Sequence, residues 1–424
     1  MLLNVTVRPK PYQLVGYHKL IEQHYCVVGD EQGLGKSLQS LMVVEATGST
    51  ALIMVPSYLK YNWRSEINKL FFDPPTVKIL ESEKDFLEYP KTQIVLMHYE
   101  QLKWAEKLFD WADIVIADEC HYLKNIKAYR TLAVHNYIEN YEPERFIGLS
   151  GTPIDNNVPE FYSQIKLCGY NPKGTSGRVY GGSFWDFQKQ FSNHTQFEMM
   201  GRRINKFEGL RNVPELKSLL KGKYFRRLAK NHLDLKEMIF LDVDIKTKMT
   251  KDEEKELWDE FNAEKGKDST IKKKSAVLTA PVTADYCNGL IGQGEKPLLI
   301  YSAHREPVEI ISKKLKGRIQ KVNGSTPIPL RQKYVDQFQA GQLDAIVATV
   351  SSFSTGWNLV ASNHVVFNDE SWIPRDNMQG RKRIDRIGQT KQTYCHRMFG
   401  SKMSKYITKK LEKKESEISK IIGG

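Results

Sequence analysis

The stretch YCVVGDEQGLGKSLQ, from Tyr25 to Gln39, decides the fold. Four apolar residues fit a short strand buried on both faces, and a glycine-rich turn then leads into a helical pattern. Strand, turn and helix in that order are what a phosphate-binding loop requires. Glycines let backbone N–H groups converge on phosphate oxygens, and a helix N-terminus adds a favourable dipole. In this reading Lys36 reaches the β- and γ-phosphates and the Ser37 hydroxyl serves Mg²⁺. Asp30 stands where the strict loop pattern has glycine, so the stretch alone also fits a plain turn before a helix.

Working outward, short apolar runs recur between charged, helix-like stretches. They are ALIMV from Ala51, QIVLMHY from Gln93, DIVIA from Asp113 and RFIGLS from Arg145. The rhythm stops near Asn157 and returns with IFLDVDI from Ile239. PLLIYSA, RIQKVNG, AIVATV, HVVFND and TYCHRMF follow. Alternation of this kind predicts doubly wound parallel sheets. The expected architecture is α/β: one such domain over 1–156, a mostly helical insertion and linker over 157–236, and a second domain over 237–424. The tail KKLEKKESEISKIIGG reads as a helix with a solvated charged face.

Length agrees. At ~150 residues per domain, 424 residues make two or three. With 40% hydrophobic and 27% charged residues, the chain can fill ordinary cores, which excludes disordered and disulfide-scaffold classes. The cysteines, Cys26, Cys120, Cys168, Cys287 and Cys395, form no CxxC pair, so a zinc finger is excluded and buried thiols are expected. No apolar run approaches the ~20 residues that span a bilayer. The start carries no signal-peptide pattern, so an intracellular, cytoplasmic setting is expected. The formal charge of +13 favours a polyanion partner, nucleic acid first.

Three further motifs carry chemistry. In DIVIADECH an apolar strand ends in Asp118 and Glu119, at the strand end where open α/β sheets bind ligands. Asp118 suits Mg²⁺ and Glu119 suits activation of water. Taken alone, the pair also fits a helix cap. His121 beside it reads as a coupling residue. GLSGTPIDN follows another strand, with hydroxyls at Ser150 and Thr152. In QGRKRIDRIGQ, Arg383 and Arg386 are spaced to share one helix face, and their planar guanidiniums suit developing phosphate charge. Arg381 and Lys382 would point toward nucleic-acid phosphate. A merely basic helix face is the simpler alternative.

In this order the motifs resemble those of the Swi/Snf-like ATPases of helicase superfamily two. DEQGLGKS, DECH, LSGTP and QGRKRIDRIGQ are similar to that family's first, second, third and sixth motifs. RPKPYQ, VPSYLKYNWRSE, FRRLAKNHLDL, NGSTP and SFSTGWNL are similar to its weaker blocks, although Trp357 stands where leucine is usual. The likeness runs from about Arg8 to Phe399. It implies two RecA-like domains with ATP and Mg²⁺ between them. Gln13, Asp30, Gly33, Leu34, Gly35, Lys36, Ser37 and Gln379 would hold ATP, with Ser37 and Asp118 on the metal. Lys36, Asp118, Glu119, Arg383 and Arg386 would be catalytic, and His121, Ser150, Thr152 and Gly356 would couple. DNA contacts are expected at Ser57, Tyr58, Lys60, His98, Tyr99, Ser302, His304, Thr349, Ser351 and Lys382. Trp357, Trp372, Phe184 and Trp185 could stack on bases or pack in the core.

Within the family, IYSAHRE and VNGSTP look closest to compact fork-remodelling helicases. Little sequence lies outside the motor blocks, which suits phage or bacterial branch-migration enzymes. The resemblance therefore implies an ATP-dependent DNA translocase, working as a monomer on branched or forked duplex away from membranes. The competing readings are an RNA or generic duplex helicase and a non-catalytic DNA-binding module.

Overall fold

A computed structural model describes residues 8–86, 90–154, 158–169, 180–199, 202–263, 269–353 and 356–422. The chain divides into two compact units, one of residues 1–232 with 416–424, the other of residues 233–415.

The first unit holds β1 (Tyr25–Val28), β2 (Ala51–Val55), β3 (Val77–Ile79), β4 (Ile94–His98), β5 (Ile114–Asp118) and β6 (Arg145–Leu149). An antiparallel hairpin of β7 (Asn193–Met199) and β8 (Arg202–Glu208) follows, then β9 (Tyr224–Phe225). Apart from the hairpin, the strands form one parallel sheet in the order β3-β4-β2-β5-β6-β1-β9. Their apolar character on both sides explains why. Leu52, Met54, Val95, Met97 and Val115 fill a core on one face, while Ile53, Val55, Ile94, Leu96 and Ile116 fill one on the other. Full burial of each such side chain favours folding by roughly 1.5–3 kcal/mol.

Helices α1 (Pro11–Glu22), α2 (Lys36–Thr47) and α3 (Lys60–Leu70) pack on this sheet with β1 and β2. The segment expected to be mostly helical does carry helices at Phe184–Phe191 and Val213–Leu220, and it also carries the hairpin and β9. The tail forms the helix Lys402–Ile422. It is not simply solvated. Ile418 and Ile421 are buried with Phe161, Phe187 and Leu216 in the first unit. Met403, Ile407 and Leu411 are buried with Phe261 in the second.

The second unit repeats the plan with β10 (Ile239–Asp244), β11 (Leu298–Ser302), β12 (Ile319–Val322), β13 (Ala345–Thr349), β14 (His364–Phe367) and β15 (Tyr394–Phe399). The order is β10-β15-β14-β11-β13-β12, parallel throughout. Leu299, Tyr301, Ile346 and Val365 face one core, and Leu298, Ile300, Val347 and Val366 the other. All five cysteines are free and buried.

Candidate active site

Register assembles the site in the first unit. Val28 of β1 pairs with Leu149 of β6, and Leu149 pairs with Asp118 of β5. Three adjacent strands therefore end level, and the three motifs leave from those ends. The crevice beyond strand C-termini is the usual ligand position in such sheets.

The turn after β1 is shaped by Gly33 (φ +84°) and Gly35 (φ +76°). Gly35 precedes Lys36, the first residue of α2. A Cβ at Gly35 would lie 2.3 Å from Gln13 Nε2. Gln13 donates to the Leu34 carbonyl at 3.1 Å, which ties α1 to the loop. Lys36 Nζ donates to the carbonyls of Asp30 (2.8 Å) and Glu31 (3.3 Å). Burial holds the Lys36 pKa below the usual lysine range, opposed by the carboxylates of Glu119, Asp30 and Asp118. An ammonium so placed is a ready partner for phosphate charge.

Asp118 accepts the indole N–H of Trp63 at 2.7 Å, and its Oδ1 accepts the Glu119 N–H at 3.0 Å. Burial first, then the neighbouring Glu119 charge, raise the Asp118 pKa to about 7, against the Trp63 hydrogen bond and Lys36. Glu119 adopts φ +52°, a strained backbone for a non-glycine residue. His121 Nδ1 lies 3.2 Å from Glu119 Oε2 and 3.2 Å from Ser150 Oγ. The Thr152 N–H donates to Ser150 Oγ at 3.3 Å. The structure thus brings Glu119, His121, Ser150 and Thr152 into one connected group. Ser37 stands in the first turn of α2 and Asp118 ends β5, and a hydroxyl and a carboxylate are the oxygen donors that a hard cation such as Mg²⁺, which keeps few protein ligands, accepts.

In the second unit Arg383 Nη1 and Arg386 Nη1 both donate to the Trp357 carbonyl, at 3.0 and 3.1 Å. Arg383 Nε also donates to the Gln379 carbonyl at 3.1 Å. The two arginines do not share a helix face, because the helix Pro374–Arg381 stops before them. Gln379 is buried in that helix, and Gly356, which directly precedes Trp357, adopts φ +81°. Arg381 does not face solvent either. It is buried and pairs with Glu415 (2.8 Å) and Glu370 (3.7 Å).

The expected DNA contacts divide by exposure. Ser57 and Ser351 are exposed, and Tyr58, His98 and His304 are half-buried. Lys382, half-buried, pairs with Asp385 at 2.7 Å. Four are buried and already bonded, so they present nothing to a surface ligand. Lys60 donates to the Leu80 carbonyl and to Glu81 (2.8 and 2.9 Å), and the Tyr99 hydroxyl donates to the Asp118 carbonyl (2.6 Å). Ser302 donates to Asp369 and Thr349 meets Ser352, each at 2.5 Å. Trp357 lies in the core, Trp372 stacks on Phe261 and Phe184 packs on Tyr162, whereas Trp185 is 57% exposed. The sequence marked Trp63, Arg226 and Arg227 only as parts of motifs, without a role at the site. Arg226 donates to the Gly151 carbonyl at 3.0 Å, and Arg227 bonds Asp30.

The SNF2-related domain matches residues 15–282, and the helicase conserved C-terminal domain matches residues 284–388. The DNA annealing helicase and endonuclease ZRANB3 of Bos taurus is 25% identical over 406 residues, covering 89% of this chain and 37% of that protein. The DNA repair and recombination protein RAD54-like of Drosophila erecta is 25% identical over 458 residues, covering 89% of this chain and 57% of that one. This chain therefore spans well under two thirds of either relative. Both are animal proteins, which lends no support to a bacterial or phage setting. The helicase domain of Hef from Pyrococcus furiosus shares the fold, with a TM-score of 0.55 at 15% identity over 96% of this chain and 99% of that one. No described helix is long and apolar enough to cross a membrane. With well over half its length matched by that one family model, the chain belongs to the SNF2-related family.

Proposed function

We propose that this protein is a DNA-dependent ATPase that moves along DNA and remodels branched substrates, by branch migration, fork regression or strand annealing. One observation carries the reading. Lys36, the Asp118–Glu119 pair and the His121–Ser150 link converge at three level strand ends. In this reading the loop N–H groups and Lys36 hold the β- and γ-phosphates, and Ser37 and Asp118 hold Mg²⁺. When bound, the cation neutralises phosphate charge and fixes the leaving oxygen. Glu119 orients the attacking water and takes its proton. His121 and Ser150 report the state of Glu119 to the rest of the unit. Arg383 and Arg386 complete the charge around the transferring phosphoryl group, so that hydrolysis waits on movement of the second unit.

DNA is proposed to meet Ser57, Tyr58, His98, His304, Ser351 and Lys382, mostly through phosphate and sugar. Binding then weakens with salt and varies little with sequence. The hairpin is proposed to meet the branch point. Exposed Trp185 lies 6.1 Å from the Phe207 ring, His194 stacks on Phe207 at 4.8 Å, and exposed Arg203 adds charge. Base stacking on such aromatics suits a junction. The stretch Gly174–Phe197, which runs into β7, is proposed to share this role, and its residues 174–179 lie outside the described residues.

The test is ATP turnover and strand displacement on forks, four-way junctions, linear duplex, single strands and RNA. Branched DNA should stimulate most, by a monomeric protein, and Glu119→Gln should abolish turnover. Equal stimulation by RNA would favour a generic duplex helicase. Turnover unaffected by Glu119→Gln would overturn the assignment of the site. Loss of fork preference without loss of ATPase on deleting 193–208 would support the hairpin's role.

A further inference from the structure

Asp30 and Arg227 are far apart in sequence and directly bonded in space. Phe225 of β9 pairs with Val28 of β1, so β9 ends level with the phosphate loop. The ladder then continues beyond both strands. The Gly29 N–H donates to the Phe225 carbonyl at 2.8 Å, and the Glu31 N–H to the Arg227 carbonyl at 3.0 Å. The first half of the loop is thus held as an extension of the sheet by residues 225–227.

Side chains complete the attachment. Asp30 is fully buried. Its Oδ1 accepts from the Arg227 backbone N–H and Nε, both at 3.0 Å. Its Oδ2 accepts from Arg227 Nη2 and, at 3.2 Å, from Gln39 Nε2. Four donors fill a carboxylate's acceptor sites, so Asp30 has none left for a nucleotide. Gln39 in turn donates to the Leu34 and Gly35 carbonyls at 3.4 and 3.3 Å, and Arg227 Nη1 donates to the Tyr12 carbonyl beside Gln13. On the other flank Arg226 lies 3.6 Å from Glu31, whose Oε2 also accepts the Ala229 N–H at 2.7 Å. Gly16 of α1 makes the room. A Cβ there would lie 1.8 Å from Gln39 Oε1 and 2.5 Å from Arg227 Nη2.

We propose that Asp30 is an anchor rather than an ATP ligand, and that Arg227 is a positioning residue that sets the phosphate loop through Asp30 and Gln39. The chain runs from Arg227 through His232 straight into the second unit, which begins at Leu233. Tension on that connector is delivered to the loop that holds the phosphates, which gives the bound polynucleotide a route to the ATP site. This rests on the ATP-site reading above.

The experiment compares wild type with Arg227→Gln, Arg227→Lys, Asp30→Asn, Gly16→Ala and the double variant Asp30→Asn/Arg227→Gln. Binding of a fluorescent ATP analogue, KM and kcat with and without duplex DNA, and hydrogen exchange over residues 29–36 are measured. Arg227→Gln, Asp30→Asn and Gly16→Ala should each weaken analogue binding and raise KM about tenfold or more, speed exchange in the loop, and reduce the DNA stimulation of turnover. Arg227→Lys should recover part of each effect. The double variant should be no worse than the poorer single one, as bonded partners require. A raised KM in Asp30→Asn with Arg227→Gln unchanged would make Asp30 a nucleotide ligand and overturn the proposal. So would a lowered unfolding temperature with KM and loop exchange intact. Wild type that binds the analogue without hydrolysing it would instead sink the ATPase reading and leave the anchor standing on exchange and binding.

Discussion

Trp63 holds Asp118: its indole N–H meets Oδ2 at 2.7 Å, from a helix that begins 58 residues earlier in the chain. Trp63 is itself buried against the sheet. It therefore fixes the direction of the carboxylate proposed to hold Mg²⁺. Trp63→Phe keeps most of the apolar contact and removes the donor. Hydrogen bonds to charged groups contribute about 1.5–3 kcal/mol. Turnover should fall about tenfold or more and the Mg²⁺ concentration for half-maximal rate should rise. Steady-state ATPase titrations with the metal check this, and an unchanged Mg²⁺ requirement would remove Trp63 from the site.

Arg383 and Arg386 share one acceptor yet differ in burial, since Arg383 is 4% exposed and Arg386 is half-buried. Alanine at either should lower turnover by a factor on the order of 10³, the effect of removing an arginine at a transferring phosphate. Only Arg383→Ala should also lower the unfolding temperature by several degrees, because it removes the donor to the buried Gln379 carbonyl, whereas the Trp357 carbonyl keeps one arginine in either variant. Calorimetry beside ATPase assays separates the two, and equal thermal loss would contradict the geometry.

Gly35→Ala would place a methyl group against Gln13 and force a positive φ on a residue with a side chain. The strain is about 1–3 kcal/mol. Nucleotide affinity should drop at least tenfold, while the second unit's unfolding is untouched. Gly48→Ala is the control. It has positive φ (+66°) but open space, so it should lower stability alone.

Acid should loosen the second unit through a hydrogen-bonded chain of ionisable groups whose two histidines, His364 and His396, are buried. Tyr286 meets His396 Nδ1 at 2.8 Å, His396 Nε2 meets His364 Nδ1 at 2.9 Å, and His364 Nε2 meets Glu295 at 3.0 Å. Burial drives the His396 pKa down to about 4 from an ordinary 6.5 and lowers that of His364 as well. The folded state thus prefers neutral rings. Stability from His396 is complete above the unfolded value of 6.5 and is lost as pH falls through the folded value near 4. The loss is on the order of 2–3 kcal/mol. His396→Gln should flatten the slope of unfolding free energy against pH between 6.5 and 4. Denaturant titrations across that range test it, and an unaltered slope would rule His396 out.

Much of the fold was legible because parallel strands buried on both faces must be apolar at nearly every position. YCVV, ALIMV, DIVIA and AIVATV therefore stand out against their surroundings. β3 and β9 do not, being three and two residues long. The hairpin hides for another reason. His194, Thr195 and Gln196 are exposed in succession, so no alternation marks the strand. The phosphate loop and the acidic pair were readable from local chemistry, since one turn and one strand end carry them. Trp63, Arg226 and Arg227 act across large sequence separations, and a lone tryptophan or an arginine pair looks like core or surface until the register is known. Lys60 and Tyr99 misled for the same reason, because polarity suggested solvent where Leu80 and Asp118 supplied partners. The arginine spacing presumed a helix that ends at Arg381.

Ile418 and Ile421 belong to the same apolar cluster as Phe161 and Phe187. A growing polypeptide must therefore emit its entire second lobe before that cluster can close. Until then a greasy surface stays open to water and to other chains, and such delayed long-range closure slows folding and invites aggregation. Expression hosts rich in chaperones should accordingly yield more of this protein than temperature or induction strength alone would deliver.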